Sequence, residues 1–121
     1  GLQLTDTSPL DVTDGIFFLK EDGAATISFI VEKDSSQSTL TLPNSLADDT
    51  FMTLGFVYEP KDQKFHVFQN NVLAGTVVST NAPDNEELTV SFGIQNGAAA
   101  AKTLTVDYIG ASKERTATTE L

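Results

Sequence analysis

The chain has 121 residues, which fits one domain that buries roughly 65% of its unfolded surface. Its 17 Asp and Glu against 7 Lys and Arg give a formal net charge of -10, so phosphate backbones and anionic membrane surfaces repel it. The absence of cysteine excludes disulfides and thiolate metal sites, and no apolar run approaches the ~20 residues that span a bilayer. We therefore expect no nucleic acid and no membrane among its partners.

Apolar and polar residues alternate with period two along most of the chain, which is typical of strands with one buried face. Helical periodicity is nearly absent. Turn-forming residues separate the alternating segments, and Asn70 with Asn71 suits a tight two-residue hairpin because Asn tolerates positive φ. The pattern predicts nine strands, over residues 2–4, 15–20, 26–33, 38–42, 51–58, 64–69, 72–79, 88–95 and 103–111.

The alternation also predicts which side chains form the core. In the eighth strand one parity is apolar and the other is polar or glycine, the ninth strand shows the same division over residues 103–108, and the third strand has apolar residues at alternate positions. The predicted inward residues are Ile27, Phe29 and Val31, then Leu88, Val90, Phe92 and Ile94, then Leu104, Val106 and Tyr108. Nine short strands without intervening helices favour an all-β fold, an antiparallel two-layer β-sandwich or jelly roll over residues 1–112, followed by a polar tail over 113–121.

No set of residues specifies a reaction. A glycosidase needs two carboxylates facing one cleft, but Glu32 and Asp34 lie at a strand end where charged side chains normally face water. The adjacent Glu86 and Glu87 point to opposite faces, and Glu59 and Asp62 flank a proline in a turn. His66, the one histidine, is predicted on an outward strand face without serine-triad partners. We predict no catalytic residue and no enzymatic activity.

Metal and sugar binding are also weakly supported. Asp6, Asp11 and Asp14 crowd one loop and Asp48 and Asp49 another, which would suit Ca²⁺, but their spacing matches no calcium loop and acidic loops in such an acidic chain are usually solvated. We predict no metal and no cofactor. There is no Trp, and Tyr58 and Tyr108 fall on predicted core faces, which disfavours a lectin.

Some strands are apolar on both faces. Phe17 and Leu19 alternate with Ile16 and Phe18, and Phe51 lies on the opposite parity to Met52. Such strands need a cover on each side. Either loops of the same chain cover them, or Phe17, Leu19 and Phe51 contribute to a subunit interface, and the sequence leaves both alternatives open.

The segment "NAPDNEELTVSFGIQNGAAAAKTLTVDYI", residues 81–109, resembles the C-terminal part of a group of tailed-bacteriophage virion proteins. In those proteins a similar acidic run, Asn-Gly-Ala turn and Lys-Thr-Leu-Thr-Val-Asp strand precede a short charged tail, here with Glu114 and Arg115. The hairpin "KFHVFQNNVLAGTVV" and the segment "DVTDGIFFLKEDG" are also similar, with Asn71 where the family commonly has Gly.

This resemblance implies a concanavalin A-like, laminin-G-like jelly roll and a non-enzymatic structural role, as a decoration or cement protein on the outside of a phage head. The implied partners are the major capsid protein and neighbouring copies of the chain, as a homo-oligomer on the shell, assembled in the host cytoplasm and located in the virion. The alternatives are a carbohydrate-binding module of a fibre or secreted protein and, less favoured, a fragment of a glycoside hydrolase.

The family jelly roll carries further aromatic-rich strands ahead of the equivalent of "GLQLTD", and these are missing from this sequence. The resemblance therefore implies a sandwich that lacks its first strands. An open sheet edge exposes unpaired N–H and C=O groups. We expect the missing edge to come from an upstream part of the same polypeptide or from a neighbouring subunit.

Overall fold

The computed structural model describes residues 1–4, 11–97 and 99–113. Over these residues the chain forms eight strands and a single three-residue 3₁₀ turn, Ser79–Asn81. The all-β prediction is confirmed. The strands are β1 Leu2–Gln3, β2 Gly15–Leu19, β3 Ser28–Lys33, β4 Ser36–Thr41, β5 Leu54–Glu59, β6 Lys64–Gln69, β7 Val72–Val78 and β8 Thr89–Val90.

The strands form two antiparallel sheets. One has five strands in the order β4-β3-β2-β1-β8, and the other has three in the order β5-β6-β7. The two sheets pack face to face as a β-sandwich, because one core cluster draws Phe29 and Val31 from the first sheet and Phe65 and Val67 from the second. This arrangement follows from the period-two pattern, since alternate residues of β3 and β6 point to the same face.

The hairpin turns have the backbone that their residues favour. Asn70 and Asn71 have φ of 52° and 64°, as predicted for the β6–β7 hairpin. Asp34 and Ser35 have φ of 48° and 62° and join β3 to β4, so β4 begins at Ser36, two residues earlier than predicted. Positive φ at both central residues matches the right-handed twist of the flanking strands.

Three contacts show how the sheets are aligned. The Phe18 ring of β2 lies 6.2 Å from the Phe56 ring of β5, and Phe29 of β3 lies 6.0 Å from Phe65 of β6. Leu40 of β4 lies over Gly75 of β7. Thus β5, β6 and β7 face β2, β3 and β4 in turn. In the described part of the chain, no strand of the smaller sheet faces β1 or β8.

The prediction for the last third of the chain is wrong. Of the predicted eighth strand only Thr89 and Val90 form a strand, which Ser91 extends through backbone hydrogen bonds with Gly1, and residues 103–111 form no strand. Leu88 packs against the main core as predicted, but the other apolar residues predicted to point inward there are exposed: Val90, Phe92, Ile94, Leu104, Val106 and Tyr108. By contrast, the inward positions of Ile27, Phe29 and Val31 are confirmed, since all three are buried. The predicted tail begins at Lys113, and its residues 114–121 lie outside the described residues.

Candidate interaction surface

Phe17 is covered by its own chain. It is 6% exposed and forms a second small cluster with Val12 and Ile30, against which the half-buried Leu19 packs. This cluster lies on the outer face of the five-stranded sheet, because the neighbouring Ile16 points into the main core. The loop that contains Val12 therefore helps to cover Phe17. Of the two alternatives that the sequence left open, this is cover by a loop of the same chain.

Phe51 lies in the opposite situation. Its side chain is 70% exposed, just before β5, while the next residue, Met52, packs against the main core. Of the three residues predicted to contribute to an interface, Phe51 is the one whose side chain is accessible. The role of all three in an interface stays a prediction.

Glu32 and Asp14 form a buried pair of acids that the sequence did not reveal. Glu32 is 9% exposed and lies directly across the β2–β3 ladder from Gly15, next to Asp14, which is 6% exposed. Asp14 accepts a hydrogen bond from the Asp34 amide at 3.1 Å. Burial raises the pKa of Glu32, and the negative charges of Asp14 and Asp11 raise it further. The expectation that Glu32 faces water is thus wrong, while Asp34 is exposed as predicted.

The remaining acids lie on the surface or serve the backbone. Asp11, Asp48 and Asp49 are exposed, and Asp6 lies outside the described residues. The Glu59 carboxylate accepts the Lys61 amide at 3.2 Å, which fixes the turn between β5 and β6. Among residues 1–4, 11–97 and 99–113, no group of three or more His or acidic side chains has an arrangement that would hold a metal ion.

His66 points outward, as predicted, and is half-buried in the centre of the three-stranded sheet. The two tyrosines differ from each other. Tyr58 lies on the core face, as predicted, directly across from the buried Phe65 with the two rings 4.9 Å apart, but it is 43% exposed at the sheet edge. Tyr108 is 73% exposed, so its predicted core position is wrong.

The outer face of the three-stranded sheet is an apolar surface. Cross-strand pairing aligns Phe68 with Leu73, Val57 with His66, and Lys64 with Val78, all on the side opposite the core. Three of these apolar residues, Val57, Leu73 and Val78, are largely exposed. We call the set Val57, Phe68, Leu73 and Val78 the outer apolar face. Because neighbouring strands of one sheet hold these side chains side by side, the face presents adjacent aliphatic groups and one aromatic ring.

A second apolar surface lies at the open side of the sandwich. β1 and β8 lie beyond β2 in the larger sheet, and among the described residues no strand of the smaller sheet lies opposite them. On their inner face Leu2 packs against the main core, and Val90 lies beside it and is exposed. The sequence alternation of β8 continues past its end to Phe92, which is 70% exposed, and Ile94. We call the inner face of β1 and β8 with Phe92 and Ile94 the overhang.

Comparison of the chain with protein-family models, with curated proteins and with solved structures finds no match. Within the described ranges, no helix has the length and apolar character needed to cross a membrane.

Proposed function

We propose that the chain is a non-enzymatic structural protein of a phage virion, a decoration protein that binds the outside of the head shell. The observation that carries this proposal is the outer apolar face: an exposed, largely aliphatic surface on a chain with a formal charge of -10. Contiguous exposed apolar patches are typical of protein-binding surfaces. The resemblance of residues 81–109 to tailed-phage virion proteins supports the choice of partner and a concanavalin A-like jelly roll.

In this proposal the outer apolar face and the neighbouring Phe51 contact the major capsid protein or a neighbouring copy. Apolar groups bury well at the centre of an interface, whereas charged groups stay at its solvated rim. The acidic loops, with Asp48 and Asp49 exposed, remain in water. In this proposal the buried Glu32 and Asp14, which are 9% and 6% exposed, have a structural part only.

The test is the occupancy of purified virions by the protein, measured by quantitative mass spectrometry. Wild-type protein should be present at tens to hundreds of copies. The double variant Val57→Asp with Leu73→Asp should lower the occupancy at least tenfold, because two carboxylates would be desolvated in the contact. Thr39→Asp, on the exposed outer face of β4, is the matched control and should leave the occupancy unchanged. Absence of the wild-type protein from virions would refute the proposal.

One observation favours the alternative of a carbohydrate-binding module. Sugar sites use aromatic rings beside polar groups, and Tyr58 and Tyr108 are both accessible. This alternative predicts binding on a glycan array that is lost in Tyr108→Ala and retained in Phe92→Ala. An array without hits would count against it, and an activity screen on common β-glucans separates both proposals from a glycosidase, for which we expect no turnover.

A further inference from the structure

The open side of the sandwich has unused hydrogen-bonding capacity for another strand. The Asn70 amide donates to the Thr53 carbonyl at 2.8 Å, and these two residues face each other on the ladder that continues from β5 and β6. Hydrogen-bonded and non-bonded pairs alternate along an antiparallel ladder, so the N–H and C=O groups of Leu54, Phe56 and Tyr58 point away from β6. No described strand pairs with β5 on that side.

A strand added at this edge would also cover the overhang. β5 faces β2, and β1 and β8 lie beyond β2 in the larger sheet, so the next position beside β5 faces β1. Its inward side chains would contact Val90 and Phe92, which are now exposed. The occupant must therefore be an extended segment with apolar residues at alternate positions and backbone N–H groups free to pair.

The chain itself contains such a segment. Residues 103–109, "TLTVDYI", alternate with period two and include two β-branched threonines, yet they form no strand. Leu104, Val106 and Tyr108 are all exposed, so one whole apolar side of this segment has no cover within the described residues. Residues 91–102 connect it to β8, and twelve extended residues span up to about 40 Å, enough to reach a neighbouring molecule.

We propose that residues 103–109 pair with the open edge of β5 in a second copy of this chain. A reciprocal exchange about a two-fold axis satisfies both edges and covers both overhangs at once, because each copy is donor and acceptor. Leu104, Val106 and Tyr108 then face the partner's overhang, and Thr105 and Asp107 lie on the same side as Val57. The proposal does not depend on the proposed function, and its tests use purified protein without virions.

The first test is the oligomeric state of the full chain, measured by sedimentation equilibrium. Wild-type protein should form a reversible dimer. The double variant Thr105→Pro with Val106→Pro removes two consecutive N–H donors from the middle of the donated segment, one of which points at β5 in either strand direction, and should raise the dissociation constant at least tenfold. The control Ala100→Pro, in the connection, should leave it within about twofold. Because residues 105 and 106 are exposed and outside every strand, circular dichroism should show the same folded monomer for each variant. A wild-type chain that stays monomeric would overturn the proposal.

The second test distinguishes exchange between chains from closure within one chain. The protein has no cysteine, so single cysteines report one contact each. Tagged Val57→Cys mixed with untagged Thr105→Cys or Asp107→Cys should give a disulfide-linked heterodimer, since cross-strand neighbours on one face lie close enough to bridge. Thr39→Cys, on the distant β4 edge, replaces Val57→Cys as the control and should give none. A chain that carries both Val57→Cys and Thr105→Cys is tested alongside. The proposal is overturned if the disulfide forms only within this double variant, or if the mixed single variants crosslink no more than the control.

Discussion

Phe17 and Phe51 show how differently the same residue type is used in this sandwich. Phe17 lies in β2 and Phe51 lies just before β5, and both segments have apolar residues on two faces. Phe17 is nevertheless 6% exposed, whereas Phe51 is 70% exposed. The difference arises because Val12 and Leu19 pack around Phe17, whereas no comparable cluster includes Phe51. An interface contribution at Phe17 would require the loop that contains Val12 to move.

Phe17→Ala should lower the free energy of unfolding by about 3 kcal/mol, because it removes a buried ring and leaves a cavity. Phe51→Ala, the matched control, should change it by less than about 0.5 kcal/mol. Urea unfolding followed by circular dichroism measures both. Equal losses in the two variants would contradict the buried position of Phe17.

Glu32 couples the stability of the β2–β3 ladder to pH. Burial and the charges of Asp14 and Asp11 raise its pKa above the ordinary value of 4.5. Between these two pKa values the folded chain binds more protons than the unfolded chain, so the free energy of unfolding falls as pH rises through the window. The ionised carboxylate is thus unfavourable in the folded state at neutral pH.

We expect Glu32→Gln to be more stable than the wild type at neutral pH and to lose this advantage below about pH 4, where Glu32 is protonated in both states. Urea unfolding at several pH values is the measurement. Glu86→Gln removes one negative charge from an exposed site and controls for net charge. An advantage of Glu32→Gln that does not vary with pH would show that the effect is not due to the ionisation of Glu32.

At the scale of strands, the contact between β4 and β7 sets the distance between the sheets. A Cβ atom added at Gly75 would lie 3.0 and 3.1 Å from the two methyl carbons of Leu40, closer than ordinary contact. Gly75 therefore allows the two backbones to approach at this end of the sandwich. The loop after β4 is held to β6 nearby, since the buried Gln69 side chain bonds the Asn44 amide and carbonyl at 2.9 and 2.8 Å.

Gly75→Val should destabilise the protein by about 1–3 kcal/mol, because the added methyl groups overpack this contact. Gly55→Val is the matched control in β5, where an added Cβ meets no atom within 4 Å. There valine should be neutral or slightly stabilising, since β-branched residues favour strands. Thermal unfolding of both variants tests the prediction. A Gly75→Val protein as stable as the wild type would mean that Leu40 changes rotamer without cost.

Strands β2 to β7 were predictable because their signals are local. Alternation marks each strand, and turn residues such as Asn70 and Asn71 fix where it ends. The segments after Thr89 carry equally clear alternation but form only a two-residue strand, because a strand also needs a neighbour with free backbone groups. The burial of Glu32 was missed for a similar reason. The burial of Glu32 depends on Gly15, which lies across the ladder, and on Asp14 next to it. The alternation within β3 does not predict which residues of β2 will lie opposite.

At the scale of the whole molecule, repulsion between like charges opposes folding. The chain carries 17 acids and 7 basic residues, and among the described residues Lys33 with Asp84, at 2.7 Å, is the one ion pair. Salt weakens this exposed pair, but it also screens the excess of ten negative charges. The second effect acts on many more charge pairs and should dominate.

We therefore expect the urea midpoint to rise when NaCl is raised from a few millimolar to about 0.15 M, where the screening length is about 8 Å. Lys33→Met removes the ion pair and should increase the size of this rise, because the opposing effect of salt is lost. A midpoint that falls with added salt in the wild type would show that specific ion pairs outweigh the net charge.

The pairing of β1 with β8 has a consequence for how the protein is made. The Gly1 amine donates to the Ser91 carbonyl at 2.9 Å, and the Ser91 amide donates back to Gly1 at 2.8 Å, across a separation of 90 residues. On a translating ribosome the β2–β3–β4 hairpins need only neighbouring sequence, so they can form while synthesis continues. β8 can join the sheet only after Ser91 has left the exit tunnel, and closing so long a loop is slow. The edge of β1 therefore stays open to other nascent chains until Ser91 has emerged and paired with Gly1.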